Sequence, residues 1–355
     1  MYLFLHDVYS DKNKNQLNNT VHKNSGDLLN MTNDFSNTFL QLKSLVQQDL
    51  DSMESLILHQ NNKHITLITE IVQHLIKSGG KRIRPIIFFI ICKMLNCNNE
   101  NKVPIAAAIE LIHNATLLHD DVIDESELRR GEKTSNVIWG NKASILVGDF
   151  LLAISFQWLI KCKNLNILSI LSQASKDVIV GEVQQMISSH NINISKEKYI
   201  EIISAKTAAL FSATCESAAN LAQTSNEEKE ALKNFGNNFG ISFQIMDDIL
   251  DYTASGEQFG KKLGNDLLTG KTTLPVIIAY QNATSKEKKF WDQISVNPNL
   301  EQAISYIKVH NAIEKSISIA TTYINQAKSC LNIFAESNYK THLNKLLDCI
   351  LYREC

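Results

Sequence analysis

The sequence predicts an all-α protein: a single large helical bundle with a central active-site cavity. Three observations carry that expectation. Only 13 glycines and 4 prolines punctuate 355 residues, too few turn formers for a strand-rich chain with frequent reversals. Hydrophobic residues make up 44% and recur with helical spacing over long stretches. Two acidic clusters lie within such stretches, between apolar flanks, which suggests two similar helix pairs facing across one cavity.

Residues 1–33 are expected to be a mobile polar leader, because 8–33 are rich in Asn, Asp, Ser and Lys with little periodicity. The helical domain then fills 34–355. Helical patterning runs from near Phe35 to Gln60 and from Ile65 to Ser78, then over 86–95, 104–125, 143–161, 165–190, 196–222 and 227–253. Residues 254–272 hold several glycines and lysines and read as a loop over an active site. A helix opens after Pro275, and 300–352 should form two or three closing helices. Polar breaks near 96–102, 191–195, 223–228 and 282–288 read as short connections. No repeat of the solenoid kind is visible.

The net charge of −2 gives no footprint for a polyanion, so nucleic acid is excluded as the main partner. Seven cysteines without C-x-x-C spacing fit a reduced intracellular protein rather than a disulfide scaffold or zinc site. The first residues lack a basic segment followed by an apolar core, and arginine is absent before Arg82, so neither a secretory nor a mitochondrial targeting sequence is expected and a cytoplasmic location is. No run of about 18 uninterrupted apolar residues marks a membrane span.

The acidic clusters are Asp120-Asp121-Val122-Ile123-Asp124 and Asp247-Asp248-Ile249-Leu250-Asp251, two copies of D-D-x-x-D. On a helix the first and last carboxylates of each lie on one side. Three carboxylates within two turns of a largely buried helix repel one another unless cations neutralise them. Oxygen-only ligands favour a hard cation, and Mg²⁺ shares its shell with waters and substrate phosphates. One such motif is as often a solvated helix face. Leu117-Leu118 and Ile245-Met246 before the two copies argue for the metal reading.

Basic residues complement them. Gly79-Gly80-Lys81-Arg82-Ile83-Arg84-Pro85 places three cations behind two glycines that end one helix, with Pro85 suited to the first turn of the next. That helix start favours negative charge. Arg129-Arg130-Gly131 follows the first acidic motif by about one helical turn, within reach of phosphate held by the same metals.

These segments, together with Lys206-Thr207, Phe243-Gln244 ahead of the second motif and Gly260-Lys261, resemble the trans-isoprenyl diphosphate synthases. Five motifs occur in the family's order between about residues 79 and 275. The chain looks most like the long-chain, octaprenyl-type members, which make quinone side chains. The resemblance implies an isoprenoid-synthase bundle with a two-walled cavity, and repeated Mg²⁺-dependent condensation of isopentenyl diphosphate onto an allylic diphosphate.

 The resemblance further implies about three magnesium ions per site, brought in part with the diphosphate, and a homodimer whose product is destined for a membrane.

By that resemblance Asp120 and Asp124 ligate magnesium with Asp121 assisting, and Asp247, Asp248 and Asp251 hold a further ion on the opposite wall. Lys81, Arg84, His113 and Arg130 bind isopentenyl diphosphate, whereas Arg129 and Lys261 contact the allylic diphosphate. Lys206, Thr207 and Gln244 line the reacting carbons. His119 reads as a core histidine. Two small departures stand out: Thr272 where many relatives carry proline, and Val180 where they are often acidic or small. Neither removes a ligand.

Counting back from Asp120, Thr116 and Ala115 lie one turn deeper and Ile112 a further turn. A turn advances about 5.4 Å, comparable to one isoprene unit. Short-chain relatives carry aromatic rings at the positions of Ala115 and Thr116, so the small residues here predict a long tail running past Phe150, Phe156 and Trp158. Competing readings are a farnesyl- or geranylgeranyl-type synthase, a terpene cyclase and a non-catalytic subunit. A cyclase has no need of the Lys81, Arg84 and Arg130 group, and a non-catalytic subunit could lose ligands that are all present.

Overall fold

The computed structural model describes residues 37–61, 65–253, 263–294, 296 and 298–351. The expected leader, and Lys261 with its loop neighbours, lie outside them. Among the described residues the architecture is helical apart from one two-stranded ribbon. Helical residues 37–45 precede α1 (Gln47–Asn61), α2 (Thr66–Lys77), α3 (Ile83–Met94) and α4 (Lys102–Ile123). The ribbon β1 (Leu128–Arg129) and β2 (Glu132–Lys133) leads into α5 (Ser135–Trp139), α6 (Asn141–Lys161), α7 (Leu165–Ser188) and α8 (Lys196–Ile203). A π-helical turn, Ser204–Ala208, joins α8 to α9 (Ala209–Leu221), followed by α10 (Asn226–Thr253) and α11 (Asn265–Leu268). The remainder comprises α12 (Leu274–Gln281), α13 (Ser285–Trp291), α14 (Leu300–Val309), α15 (Ala312–Cys330) and α16 (Asn338–Ile350).

The middle of the bundle is set by two mainly apolar helices that are buried around their whole circumference over two turns. Every residue from Pro85 to Cys92 of α3 is buried, as is every residue from Ile105 to Ile112 of α4. Such helices can be accommodated only inside other helices. α9 packs against α3, α4, α7 and α10, while α6 lies along α4 and α15 along α10. The two helices bearing the acidic motifs are thus held apart by α9. Phe211 of α9 meets Phe239 and Phe243 of α10 with ring centroids 5.0 and 5.5 Å apart, each contact adding about 1 kcal/mol beyond its area burial.

Three sequence expectations need correction. The span 196–222 is not one α-helix, because the π-turn interrupts it. The break at 282–288 contains the start of α13, nucleated by a capping box between Thr284 and Glu287. Within the expected loop 254–272, α11 forms a helical turn. Beyond the end of α4, Arg129-Arg130-Gly131 forms a hairpin: Arg129 pairs with Glu132, and Arg130 and Gly131 between them have φ of 56° and 81°. That is the two-residue turn with both central residues left-handed, which Gly131 makes feasible. α6 is also long and apolar enough to cross a membrane by length and composition, although its strongest 18-residue window is 44% buried in the fold. It packs on α4 as a helix of the bundle.

Candidate active site

Both acidic motifs stand in the last turns of their helices. Asp120 and Asp121 close α4, with Asp124 as its C-cap, and Asp247, Asp248 and Asp251 fall near the end of α10. A helix C-terminus carries the negative end of the backbone dipole, so carboxylates are disfavoured there by roughly 0.3–1 kcal/mol each. Two helices delivering carboxylates on their negative ends create a site that calls for cations.

On the first wall, Asp121 is buried and held by Arg129, whose Nε and Nη2 donate to Oδ1 at 2.9 and 2.7 Å. Asp124 Oδ2 accepts from Lys271 Nζ at 2.6 Å. Burial opposes the charge on Lys271, but the bond to Asp124 and the fields of Asp124, Asp266 and Glu182 outweigh it and raise its pKa. Asp120 is pushed up to about 6, chiefly by burial, with Glu182 and Asp124 adding to the shift against Lys206. Asp120, Asp124, Glu182 and Lys206 therefore share one electrostatic neighbourhood. Lys206 Nζ pairs with Glu182 and donates to Gln185 Oε1 at 2.8 Å.

The second wall is differently satisfied. Asp248 is buried, with Tyr199 donating to Oδ2 at 2.6 Å and Gln244 Nε2 to Oδ1 at 2.7 Å. Burial and then Asp266 push its pKa up to about 7. With both oxygens engaged and the group buried, Asp248 is placed to orient Gln244 rather than to reach a metal directly. Asp251 Oδ2 accepts from the backbone N–H of Asp266 at 3.0 Å. Gln244 Oε1 accepts from Thr207 Oγ1 at 2.7 Å.

The π-turn brings Lys206 and Thr207 to this cleft. Its backbone passes against Gly181 of α7 and Gly240 of α10, where any Cβ would collide with Lys206 and Ala208. Those glycines allow the swollen turn to fit between two helices. Two adjoining cavities, of about 650 and 720 Å³, share Gln185, Ser189 and Lys271. The first is lined by Tyr199, Lys206, Thr207, Gln244, Asp248 and Asp266, and the second by Asp124 and Glu182.

A cationic group adjoins the first wall. Arg82, left-handed at φ 49°, is bound to Glu110 at 2.7 Å and Glu54 at 3.3 Å, which makes it a fastening of the fold. Arg84 lies over the Phe211 ring at 4.1 Å, its Nε has no hydrogen-bond partner, and burial brings its pKa down to about 10. Arg130 donates to the Gly79 carbonyl, and a Cβ on Gly80 would lie 2.8 Å from its Nη1. Burial and then Arg129 and Arg82 lower the Arg130 pKa. His113 falls well below 6.5 through burial, with Arg84, Arg129, Arg130 and Arg82 adding to the shift. It is therefore neutral at physiological pH. Lys81 immediately precedes Arg82 at the start of α3. Cations that depress one another's pKa beside a helix N-terminus form a receptor for an anion.

His119 behaves as a fold residue: its Nε2 meets the Ile145 carbonyl at 3.1 Å and fits against Gly148. Ile112, Ala115 and Thr116 share the α4 face that leads to Asp120. Ile112 and Ala115 are fully buried, and none of the three lines either cavity. Sequence reasoning missed Lys271, Glu182, Gln185, Tyr199 and Asp266 as site residues. Lys271 and Glu182 lay in segments already singled out, but nothing local tells which carboxylates they would meet.

The oxygen-only set around Asp120, Asp124 and Glu182 fits a hard divalent cation, since burial and mutual repulsion make it call for positive charge, part of which Lys206, Lys271 and Arg129 supply. Among the described residues, no three His, Cys, Asp or Glu side chains form a ready-made metal cage.

The polyprenyl synthetase family model matches residues 65–313. The octaprenyl diphosphate synthase of Escherichia coli (strain K12) is 38% identical over 70% of this chain and 76% of its own length. That of Haemophilus influenzae is 34% identical over 86% and 94%. Among solved structures, a decaprenyl diphosphate synthase from Rhodobacter capsulatus superimposes with a TM-score of 0.85 at 34% identity, covering 89% of this chain and all of that one. A polyprenyl synthase from Caulobacter crescentus, complexed with calcium and isoprenyl diphosphate, gives 0.85 at 36% identity, covering 89% and 98%. The chain belongs to the polyprenyl synthetase family and is a prenyltransferase enzyme.

Proposed function

We propose that this enzyme builds a long all-trans polyprenyl diphosphate, of about the octaprenyl class, by repeated Mg²⁺-dependent condensation of isopentenyl diphosphate onto an allylic diphosphate, for a quinone side chain. The observation that carries the long-chain reading is the α4 wall, where Ala115 and Thr116 leave no aromatic floor one turn below Asp120. The two octaprenyl diphosphate synthases among the relatives support the same length class.

In this reading Asp120, Asp124 and Asp247 hold magnesium, with Asp251 completing the second wall. Bound magnesium would take up negative charge on the departing diphosphate. Arg129, Lys206 and Lys271 present further positive charge to that diphosphate, so the allylic C–O bond ionises. The Gln244 carbonyl and Thr207 hydroxyl turn their dipoles toward the resulting cation without trapping it. Lys81, Arg84, Arg130 and neutral His113 hold isopentenyl diphosphate so that its double bond attacks, and the proton then leaves to the released diphosphate. Incorporation of radiolabelled isopentenyl diphosphate by the purified protein tests this, with chromatography of the dephosphorylated products. A wild type that stops at farnesyl diphosphate overturns the long-chain reading, and one inactive without a second protein overturns self-sufficiency.

We further propose a homodimer. Ile179, Val180, Val183 and Ile187 form an exposed apolar stripe along α7 beside Ile145 and Leu146 of α6, which supports a second copy as its cover. Sedimentation equilibrium giving a monomer at micromolar concentration would overturn it. A cytoplasmic location, with the product passed to a membrane, completes the reading and is open to cell fractionation.

A further inference from the structure

Tyr199 has no part in the chemistry proposed above, yet its hydroxyl reaches the centre of the site. It sits on α8, is buried, and lines the cavity shared by Lys206, Thr207 and Gln244. Its hydroxyl donates to Asp248 Oδ2 at 2.6 Å, Asp248 Oδ1 accepts from Gln244 Nε2 at 2.7 Å, and Gln244 Oε1 accepts from Thr207 Oγ1 at 2.7 Å. The chain thus runs unbroken from α8 through α10 to the π-turn.

The order of donors gives this chain a direction. With the Tyr199 hydroxyl donating to Oδ2 and the Gln244 amide to Oδ1, Asp248 accepts at each of its oxygens. Asp248 therefore requires the NH₂ end of the Gln244 amide, and the carbonyl end must face Thr207 and the cleft. Reversal would set two acceptors, Gln244 Oε1 and Asp248 Oδ1, against each other in a buried place. The Tyr199 hydroxyl holds the carboxylate in the rotation that imposes this polarity. Burial, followed by the field of Asp248, raises the phenol pKa well above its ordinary value, so it stays a donor.

We infer that Tyr199 is a positioning residue for prenyl transfer: acting through Asp248, it fixes the Gln244 amide with its carbonyl toward the reacting carbons. This rests on the cation-stabilising role proposed for Gln244. The other role open to a buried tyrosine is filling space between α8 and α10, and that role belongs to its ring.

A double-mutant cycle on the full-length enzyme separates the two. Tyr199→Phe keeps the ring and removes the donor. It should lower kcat about tenfold, the scale of one hydrogen bond to a charged group, while the KM values for isopentenyl and farnesyl diphosphates stay unchanged. Gln244→Ala should lower kcat further, and adding Tyr199→Phe to it should change kcat no more, because the dipole being oriented is gone. Calorimetric binding of isopentenyl diphosphate should match wild type in all three variants. Additive losses in the double variant, or a kcat for Tyr199→Phe equal to wild type, would overturn the inference. Wild-type turnover is the control for the underlying reaction: if it is absent, the proposed function fails, whereas wild-type activity with an additive cycle removes only the role of Tyr199.

Discussion

The two D-D-x-x-D motifs are the same in sequence pattern and opposite in environment. At the end of α4, Asp121 and Asp124 are met by the full charges of Arg129, from the adjoining hairpin, and Lys271, from 147 residues further along the chain. At the end of α10, Asp248 and Asp251 are met by a phenol, an amide and a backbone N–H. The walls differ below the motifs as well. One turn before Asp120 stand Ala115 and Thr116, whereas one turn before Asp247 stands Phe243, packed 6.0 Å from Phe239 and 5.5 Å from Phe211. The first wall is charged at its rim and small beneath it, whereas on the second Asp248 is bonded by neutral groups and aromatics pack beneath. Five residues of pattern specify the demand for positive charge, and the rest of the fold decides how that demand is met.

The sharpest test of this contrast removes one carboxylate from each wall. Asp120→Asn and Asp247→Asn should each lower turnover by about a thousandfold or more with the fold retained, as expected for loss of leaving-group stabilisation, and chelation by EDTA should do the same. Isopentenyl diphosphate incorporation and circular dichroism check this together. A near-normal rate in either variant means that only one wall holds a metal needed for turnover.

The cationic side of the first wall comes next. Arg130→Ala and Lys81→Ala should raise the KM for isopentenyl diphosphate about tenfold or more, because charge-assisted phosphate contacts are local, and Arg129→Ala should act mainly on the allylic substrate. Arg129→Ala should also lower the melting temperature more than Arg130→Ala does, since it strands the buried Asp121 carboxylate. Equal KM effects in all three variants break the division of labour.

Product length probes the space under each rim. Ala115→Tyr should cut the product to about three or four isoprene units by placing a ring about one helical turn below Asp120, whereas Ala115→Gly and Phe243→Ala should leave its length unchanged. Chromatography of dephosphorylated products reads the result. Unchanged length with Ala115→Tyr means that α4 does not set the ruler.

The smallest effect is in pH. Burial raises Asp248 from 3.8 to about 7 in the fold, so its proton is held more tightly folded than unfolded. Its stabilising contribution is complete below the unfolded value and is lost as pH rises through about 7. The metal-free enzyme should therefore melt a few degrees lower at pH 8 than at pH 5, and Asp248→Asn should flatten that slope. An equally steep slope in Asp248→Asn assigns the effect elsewhere, with Asp120, raised to about 6, as the next group to substitute.

The helical class, most element positions and the paired acidic motifs were legible because each is local. Periodicity places α4 and α10, and apolar flanks mark their carboxylates as facing inward. Arg130-Gly131 was legible as a cationic group but not as a hairpin, although a glycine at the second position of a two-residue turn was a usable sign. Tyr199 and Lys271 were illegible as partners because their carboxylates lie 49 and 147 residues away. The π-turn escaped because one extra residue in a helix leaves apolar spacing nearly unchanged over a single turn. Lys261 and the leader fall outside the described residues.

That extra residue constrains how the enzyme can change. A π-turn is an α-helix carrying one surplus residue, so deleting one position between Ser204 and Ala208 would restore regular winding and narrow the turn, while the helix beyond it kept nearly its present facing. Lys206 and Thr207 could then no longer both face the cleft, and the space left beside Gly181 and Gly240 would become two voids. Reversal thus requires a deletion and two compensating substitutions at once, each harmful without the others. Such a feature is a one-way step in descent, and a sequence retaining both glycines around an unshortened 204–208 segment carries its record.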